Sequence, residues 1–62
     1  MLGYEETKDY NFDAHGELVF QKGNRFISPD NTGHGGAHWK MYQKGIGRVG
    51  TFTKYLDKMV RP

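Results

Sequence analysis

Leu18-Val19-Phe20-Gln21-Lys22-Gly23-Asn24-Arg25-Phe26-Ile27 sets two short apolar runs on either side of a polar turn cluster that contains glycine. Val, Ile and Phe suit a pleated, half-buried surface, and Gly and Asn supply the conformations a tight reversal needs. The stretch therefore predicts a β-hairpin. Ser28-Pro29-Asp30 closes its second strand, because proline brings no N–H to a ladder and Ser and Asp side chains close turns. Asn31-Thr32-Gly33-His34-Gly35-Gly36-Ala37-His38 follows, too rich in glycine for the interior of a helix or strand.

Beyond that loop, Trp39-Lys40-Met41-Tyr42 alternates apolar with polar and fits a strand, and Gln43 to Gly47 turns the chain. Arg48-Val49-Gly50-Thr51-Phe52-Thr53 reads as a further strand in which a bulge at Gly50 lets Val49 and Phe52 share a face. In the tail, Tyr55, Leu56, Met59 and Val60 stand at helix-like spacing, but the segment is short enough to be an irregular cover. Upstream of the hairpin, Met1 to Asp9 reads as a short helical turn or lead-in. The connections are too short for parallel crossovers, so the expected fold class is α+β: a small antiparallel sheet of about four strands with a short N-terminal helix or lead-in segment.

With 62 residues the chain is a single domain, residues 1–62, near the lower limit at which one core holds a chain folded without a staple. It has no cysteine, which excludes a disulfide framework, a thiolate zinc site and a cysteine nucleophile. Nine aromatic residues, Tyr4 to Tyr55, are the main packing resource. No stretch approaches the roughly eighteen apolar residues of a membrane span, and none reads as an export leader.

The net charge of +2 conceals a division. Residues 1–17 carry one Lys against five acids, a net of −4, whereas residues 18–62 carry eight Lys or Arg against two acids, a net of +6. Such a basic surface attracts polyanions, nucleic acid first among them, although small basic domains also carry solvated lysines with no partner.

Candidates for chemistry are few. His15 lies just before the first hairpin strand, and His34 and His38 lie in the glycine-rich loop; histidine exchanges protons near neutral pH, yet a loop histidine is often incidental. Metal-independent cleavage of RNA needs a base for the ribose 2′-hydroxyl, an acid for the leaving 5′-oxygen and cations around the phosphate. His34 and His38 stand four apart with Asp30 four before His34, which would serve a metal on a helix, but Gly35 and Gly36 oppose that helix. Glycine N–H groups also approach phosphate closely, although no P-loop order is present. Arg48 is the strongest candidate phosphate clamp because its planar fork holds two oxygens, with Lys40 nearby and a Thr51 hydroxyl beside it. Trp39 and Tyr42 can stack on bases, but Trp39 reads first as a core residue. Ser28, the sole serine, has no nucleophile-elbow setting.

Phe26-Ile27-Ser28-Pro29-Asp30, His34-Gly35-Gly36, Trp39-Lys40-Met41 and Arg48-Val49-Gly50-Thr51 together resemble the motif series of the bacterial toxin 21 domain of polymorphic and contact-dependent inhibition toxins. Ser28 to His34 meets its [DS]-x-D-x-x-x-H pattern and Arg48 to Thr51 its R-x-G-[ST] pattern; Leu2-Gly3-Tyr4 and His15-Gly16 resemble its lead-in. The resemblance implies a ribonuclease domain from the C-terminal end of a larger exported bacterial protein, acting in the cytoplasm of a target bacterium and neutralised by an immunity protein. It also implies functional roles for Asp30, His34, Lys40, Arg48 and Thr51, with His15 as the second histidine. The family's R-x-x-D element appears as Lys54-Tyr55-Leu56-Asp57, which keeps charge but loses the bidentate fork, and His38 falls where the pattern is commonly apolar.

The expected function is a metal-independent endoribonuclease toxin needing no metal and no cofactor. His34 and His15 exchange protons, Asp30 orients His34, and Arg48 and Lys40 stabilise phosphate charge. The expected partners are RNA and an immunity protein with an acidic surface. The alternatives are a metal-dependent DNase using His34, His38 and Asp30, and a non-catalytic nucleic-acid-binding β domain with Trp39 and Tyr42 as its platform.

Overall fold

The Phe20–Ile27 hairpin forms around the two-residue turn Gly23-Asn24, with Lys22 opposite Arg25 and Phe20 opposite Ile27. Gly23 holds φ 59° and Asn24 has no positive φ, the sign pattern of a hairpin turn with glycine at its first central position. In the computed structural model, which describes residues 3–30 and 36–61, this hairpin lies inside a larger sheet. The strands are β1 (Glu5–Glu6), β2 (Phe20–Lys22), β3 (Arg25–Pro29), β4 (Trp39–Gln43), β5 (Gly47–Phe52) and β6 (Met59–Arg61). They form one antiparallel meander in the order β1-β2-β3-β4-β5-β6.

The fold is therefore all-β with six strands, and the α+β expectation of about four strands with an N-terminal helix is corrected. Among the described residues there is no α-helix. The lead-in has no apolar stripe at helical spacing and is shorter than the roughly 12–15 residues an isolated helix needs. Instead Tyr4 is buried in the core, and Glu5 and Glu6 pair with Gln21 and Phe20 along the open edge of β2. The tail behaves likewise. The Thr53 hydroxyl donates to Asp57 Oδ1 at 2.6 Å and the Thr53 N–H donates to the Lys58 carbonyl at 3.0 Å, closing a turn that returns β6 to β5. Leu56, with φ 61°, takes the left-handed conformation of that turn.

Pro29 does not stop β3 where the sequence reading closed it; it is the strand's last residue, opposite Trp39. The Asp30 N–H donates to the His38 carbonyl at 2.9 Å, while the His38 N–H donates to the Phe52 carbonyl at 2.8 Å. The absent N–H of Pro29 then falls on the side where β2 has already ended, and no ladder bond is lost. The bulge in β5 is present: Met41 faces Gly50 and Tyr42 faces Arg48, leaving Val49 as the extra residue.

Directly opposed residues share a face of a sheet, so the register sorts the side chains. One face carries Phe20, Ile27, Met41, Trp39 and Phe52, which join Tyr4, Val49 and Leu56 in the first apolar cluster. Trp39 anchors it: the ring meets Phe20 edge-on at 6.0 Å and the indole N–H donates to the Lys54 carbonyl at 3.0 Å. The opposite face carries Phe26 and Tyr42, and the β1–β2 connection folds over it to add Tyr10, Phe12, Ala14 and Val19. Phe12 stacks on Tyr42 with centroids 3.9 Å apart. That second cluster covers only part of its face, and the far end carries Ser28, Lys40, Thr51 and Arg61 in one row.

Ile27 is fully buried at the centre of the first cluster. Ile27→Ala is expected to destabilise the fold by about 2–5 kcal/mol. In a domain with so little core, urea denaturation followed by Trp39 fluorescence should register this as a large fall in the unfolding midpoint or as loss of the folded state.

Candidate active site

The site grows from the row Ser28, Lys40, Thr51 and Arg61, each directly opposite the next across β3, β4, β5 and β6. The short members are fixed to main chain. The fully buried Ser28 hydroxyl donates to the Leu18 carbonyl at 2.9 Å, and the fully buried Thr51 hydroxyl donates to the Arg61 carbonyl at 3.1 Å. A buried hydroxyl needs a partner, and here each ties an outlying segment to the sheet. Ser28 holds the β1–β2 connection and Thr51 holds β6.

The long members flank Thr51. Lys40 is half-buried, and among the described residues neither it nor Arg48 forms an ion pair. Arg48 lies one row nearer the β4–β5 turn, opposite Tyr42 and on the same face, and is exposed. Asp30 follows Ser28 by two residues, so it belongs to this face at the other end of the row. Its side chain is only 5% exposed, and Oδ2 stands 3.6 Å from Arg61 Nη2, longer than a direct hydrogen bond but within ion-pair range. Asp30, Lys40, Thr51 and Arg61 thus adjoin one another, with Arg48 in the neighbouring row. The field is positive around one nearly buried carboxylate.

The other sequence candidates have different placements. His34 lies outside the described residues, within the loop that joins β3 to β4. His15 occupies a turn at φ 54°, with its N–H donating to Asp13 Oδ1 at 2.8 Å and Nδ1 3.5 Å from Asp13 Oδ2. Its side chain is 69% exposed, and it makes no hydrogen bond or ion pair with Asp30, Lys40, Arg48 or Thr51. His38 is exposed, with its ring 5.0 Å from that of Trp39. Among the described residues no three His, Asp or Glu side chains group as metal ligands, and a set using His34 falls outside them.

Lys54-Tyr55-Leu56-Asp57 has a structural part. Position 54 receives the Trp39 indole on its main-chain carbonyl, which any residue provides, and Asp57 shapes the β5–β6 turn through Thr53. The Lys54 ammonium stands 5.6 Å over the Tyr55 ring. Loss of the arginine fork at position 54 therefore leaves both anchoring hydrogen bonds intact.

Sequence reasoning missed Arg61. The helix-like spacing of Tyr55, Leu56, Met59 and Val60 concealed a strand, and only pairing with Thr51 brings Arg61 to the site. A cleft of about 470 Å³ lies elsewhere on the same face, at the β4–β5 turn, where Tyr10, Phe12, Tyr42 and Ile46 line it. It is farther along than Arg48 and away from Asp30, so this cleft does not coincide with the charged row.

Comparison with known proteins places the chain in a family. The family described as Novel toxin 21 matches residues 1–61. The chain belongs to that family. A 16S rRNA endonuclease CdiA of Enterobacter cloacae subsp. cloacae is 35% identical over 49 residues, covering 77% of this chain and 2% of that protein. The chain thus spans a very small part of the curated relative it matches. No solved structure matches it. The toxin 21 resemblance carried by Ser28 to His34 and Arg48 to Thr51 is accordingly a family relationship.

Within this family member, Ser28→Ala should remove the hydroxyl that donates to the Leu18 carbonyl, at a cost of about 1 kcal/mol. Amide hydrogen exchange should show earlier opening of residues 10–19 than in the wild type, with the β3–β5 ladder less affected.

Proposed function

We propose that the chain is the endoribonuclease domain of an antibacterial toxin and that it cleaves RNA without a metal ion. The observation that carries this reading is the set of cations on the Asp30 face. Lys40 and Arg48 are held there by the sheet without an ion pair among the described residues, as an incoming phosphodiester requires. Membership of a toxin family and similarity to a 16S rRNA endonuclease support RNA as the polyanion, with 16S rRNA the first substrate to test.

In the proposed reaction a ribose 2′-oxygen attacks the adjacent phosphorus while a base takes its proton. The bond from phosphorus to the 5′-oxygen breaks, and an acid supplies a proton to that oxygen. The products are a 2′,3′-cyclic phosphate and a 5′-hydroxyl, with no net change in atoms or electrons. His34 and His15 exchange the protons, and Asp30 orients His34. His15 reaches the site only when the RNA, or movement of its exposed turn, brings them together. Lys40 and Arg48 bear on the non-bridging oxygens, where charge grows in the transition state. Thr51 contributes by fixing β6, since its hydroxyl is donated to Arg61.

The domain is delivered as part of a larger secreted or surface protein and acts in the cytoplasm of the target bacterium. In the producing cell an immunity protein with an acidic surface covers the basic face. Expression of the chain in bacteria without that partner is expected to arrest growth and fragment 16S rRNA, and co-expression should prevent both. With purified protein, cleavage should continue in EDTA, whereas His34→Ala should lose at least about a hundredfold in kcat. Activity abolished by EDTA, or undiminished in His34→Ala, would refute the mechanism.

A further inference from the structure

The cleft of about 470 Å³ at the β4–β5 turn is used by no step of the mechanism just described. Its floor is a register row. Gln21 stands opposite Phe26, Phe26 opposite Tyr42 and Tyr42 opposite Arg48, so the row that floors the cleft ends on an arginine. Residues 9–12 of the β1–β2 connection and residues 43–47 of the β4–β5 turn complete the lining.

Tyr10, Phe12 and Tyr42 form a run of rings along it. Tyr10 and Phe12 lie 4.9 Å apart at 36°, Phe12 and Tyr42 3.9 Å apart at 15°, and all three are half-buried. Packing against the second cluster occupies part of each ring, and the remainder lines the cleft. Ile46, 69% exposed in the turn, adds apolar surface that neither cluster uses. Polar groups surround the rings. Asn11 and Gln43 bring side-chain amides that form no hydrogen bond among the described residues, and Asp9 brings a carboxylate acceptor. Lys44 lines the cleft and Arg48 adjoins its floor; both are exposed, and neither forms an ion pair among the described residues.

These groups match the three parts of a nucleotide: rings for the face of the base, amides and a carboxylate for its edge, and cations for its phosphate. The volume falls in the range of about 300–1,000 Å³ typical of small-ligand sites, the scale of one nucleotide and not of a protein face. We propose that this cleft is a nucleobase-binding subsite, in which one base of single-stranded RNA extends the Tyr10–Phe12–Tyr42 run while its phosphate lies toward Lys44 and Arg48. The inference deepens the ribonuclease reading by giving the domain a hold on unpaired substrate beside the cut, but the binding itself does not depend on cleavage.

The test uses the whole chain and single-stranded oligonucleotides of 2′-deoxyribose, which cannot form the cyclic product. Wild-type protein should bind an oligonucleotide with bases at least about tenfold more tightly than one of equal length built from abasic residues, the worth of one stacked base. Tyr10→Leu, which keeps apolar contact with the second cluster but has no ring, should lose most of that ratio, and Tyr10→Phe should retain it. Arg48→Ala should weaken both oligonucleotides alike and lower the slope of log affinity against log salt by about 0.7, the loss of one phosphate contact. Thermal midpoints are measured alongside: a merely structural Tyr10 would move the midpoint and leave the ratio unchanged. If Tyr10→Leu does not fold, the wild-type ratio and the shifts below decide.

Location is read from the amide resonances of the wild-type protein. Adenosine 5′-monophosphate should move residues 9–12 and 42–48, whereas ribose 5-phosphate, which has the anion without the base, should leave residues 9–12 unmoved. Equal affinity for the two oligonucleotides, or shifts confined to other residues, would overturn the subsite, and RNA cleavage that persists in that case leaves the ribonuclease reading intact. A base-dependent ratio that Tyr10→Leu abolishes, in a protein that cuts no RNA, would overturn the ribonuclease reading and leave the subsite standing. Cleft amides unmoved by nucleotide but protected from exchange by bound immunity protein would mark a protein-docking surface and overturn the subsite.

Discussion

The Asp30 carboxylate is 95% buried at the end of β3, and a buried charge is tolerable only when paired. Its ion pair with Arg61 links the end of the third strand to the sixth across the two strands between them. The Thr51 hydroxyl adds a fixed main-chain contact on β6. These two interactions keep the short last strand on the sheet, although β6 spans only Met59–Arg61 and its pairing with β5 is interrupted by a bulge. A pair of this kind is weak support for overall stability, because desolvation offsets most of the attraction. What it does is join Asp30 to Arg61 across the face that also carries Lys40 and Arg48.

The core is divided between the two faces of the sheet. A 62-residue chain cannot fill both sides of a six-stranded sheet. One side is closed by Trp39, Ile27, Met41 and their neighbours; on the other the β1–β2 connection lays Tyr10, Phe12 and Ala14 over Phe26 and Tyr42. The far end of that second face carries the buried hydroxyls of Ser28 and Thr51 with Lys40 and Arg61 in the same row. The two hydroxyls are satisfied by the Leu18 and Arg61 carbonyls, and Lys40 and Arg48 form no ion pair among the described residues.

Much of the sheet was legible because its elements are local. The hairpin around Gly23, the strand Trp39-Lys40-Met41-Tyr42 and the bulge that brings Val49 and Phe52 to one cluster all follow from alternation and turn chemistry within a few residues. The edge strands were not legible for the converse reason. Glu5-Glu6 has no strand pattern of its own and forms because β2 offers an open edge and Tyr4 has a cluster to enter. Met59–Arg61 was hidden by helix-like spacing, and with it the pairing of Arg61 with Thr51. Asp30, Lys40 and Thr51 were named from the sequence and do adjoin, but the donation of the Thr51 hydroxyl to a main-chain carbonyl is a tertiary fact that no motif spacing encodes. His15 was grouped with them on resemblance, and its exposed turn keeps it with Asp13.

Attack by a 2′-hydroxyl on phosphorus, as proposed for this face, is tested most directly by the chemistry of the cut ends. Mass spectrometry of 16S rRNA fragments made by the purified chain in EDTA should find a 2′,3′-cyclic phosphate, or the monophosphate formed by its opening, on one side of each break and a 5′-hydroxyl on the other. Fragments ending in a 3′-hydroxyl opposite a 5′-phosphate would contradict the account, as they require water and not the ribose to attack.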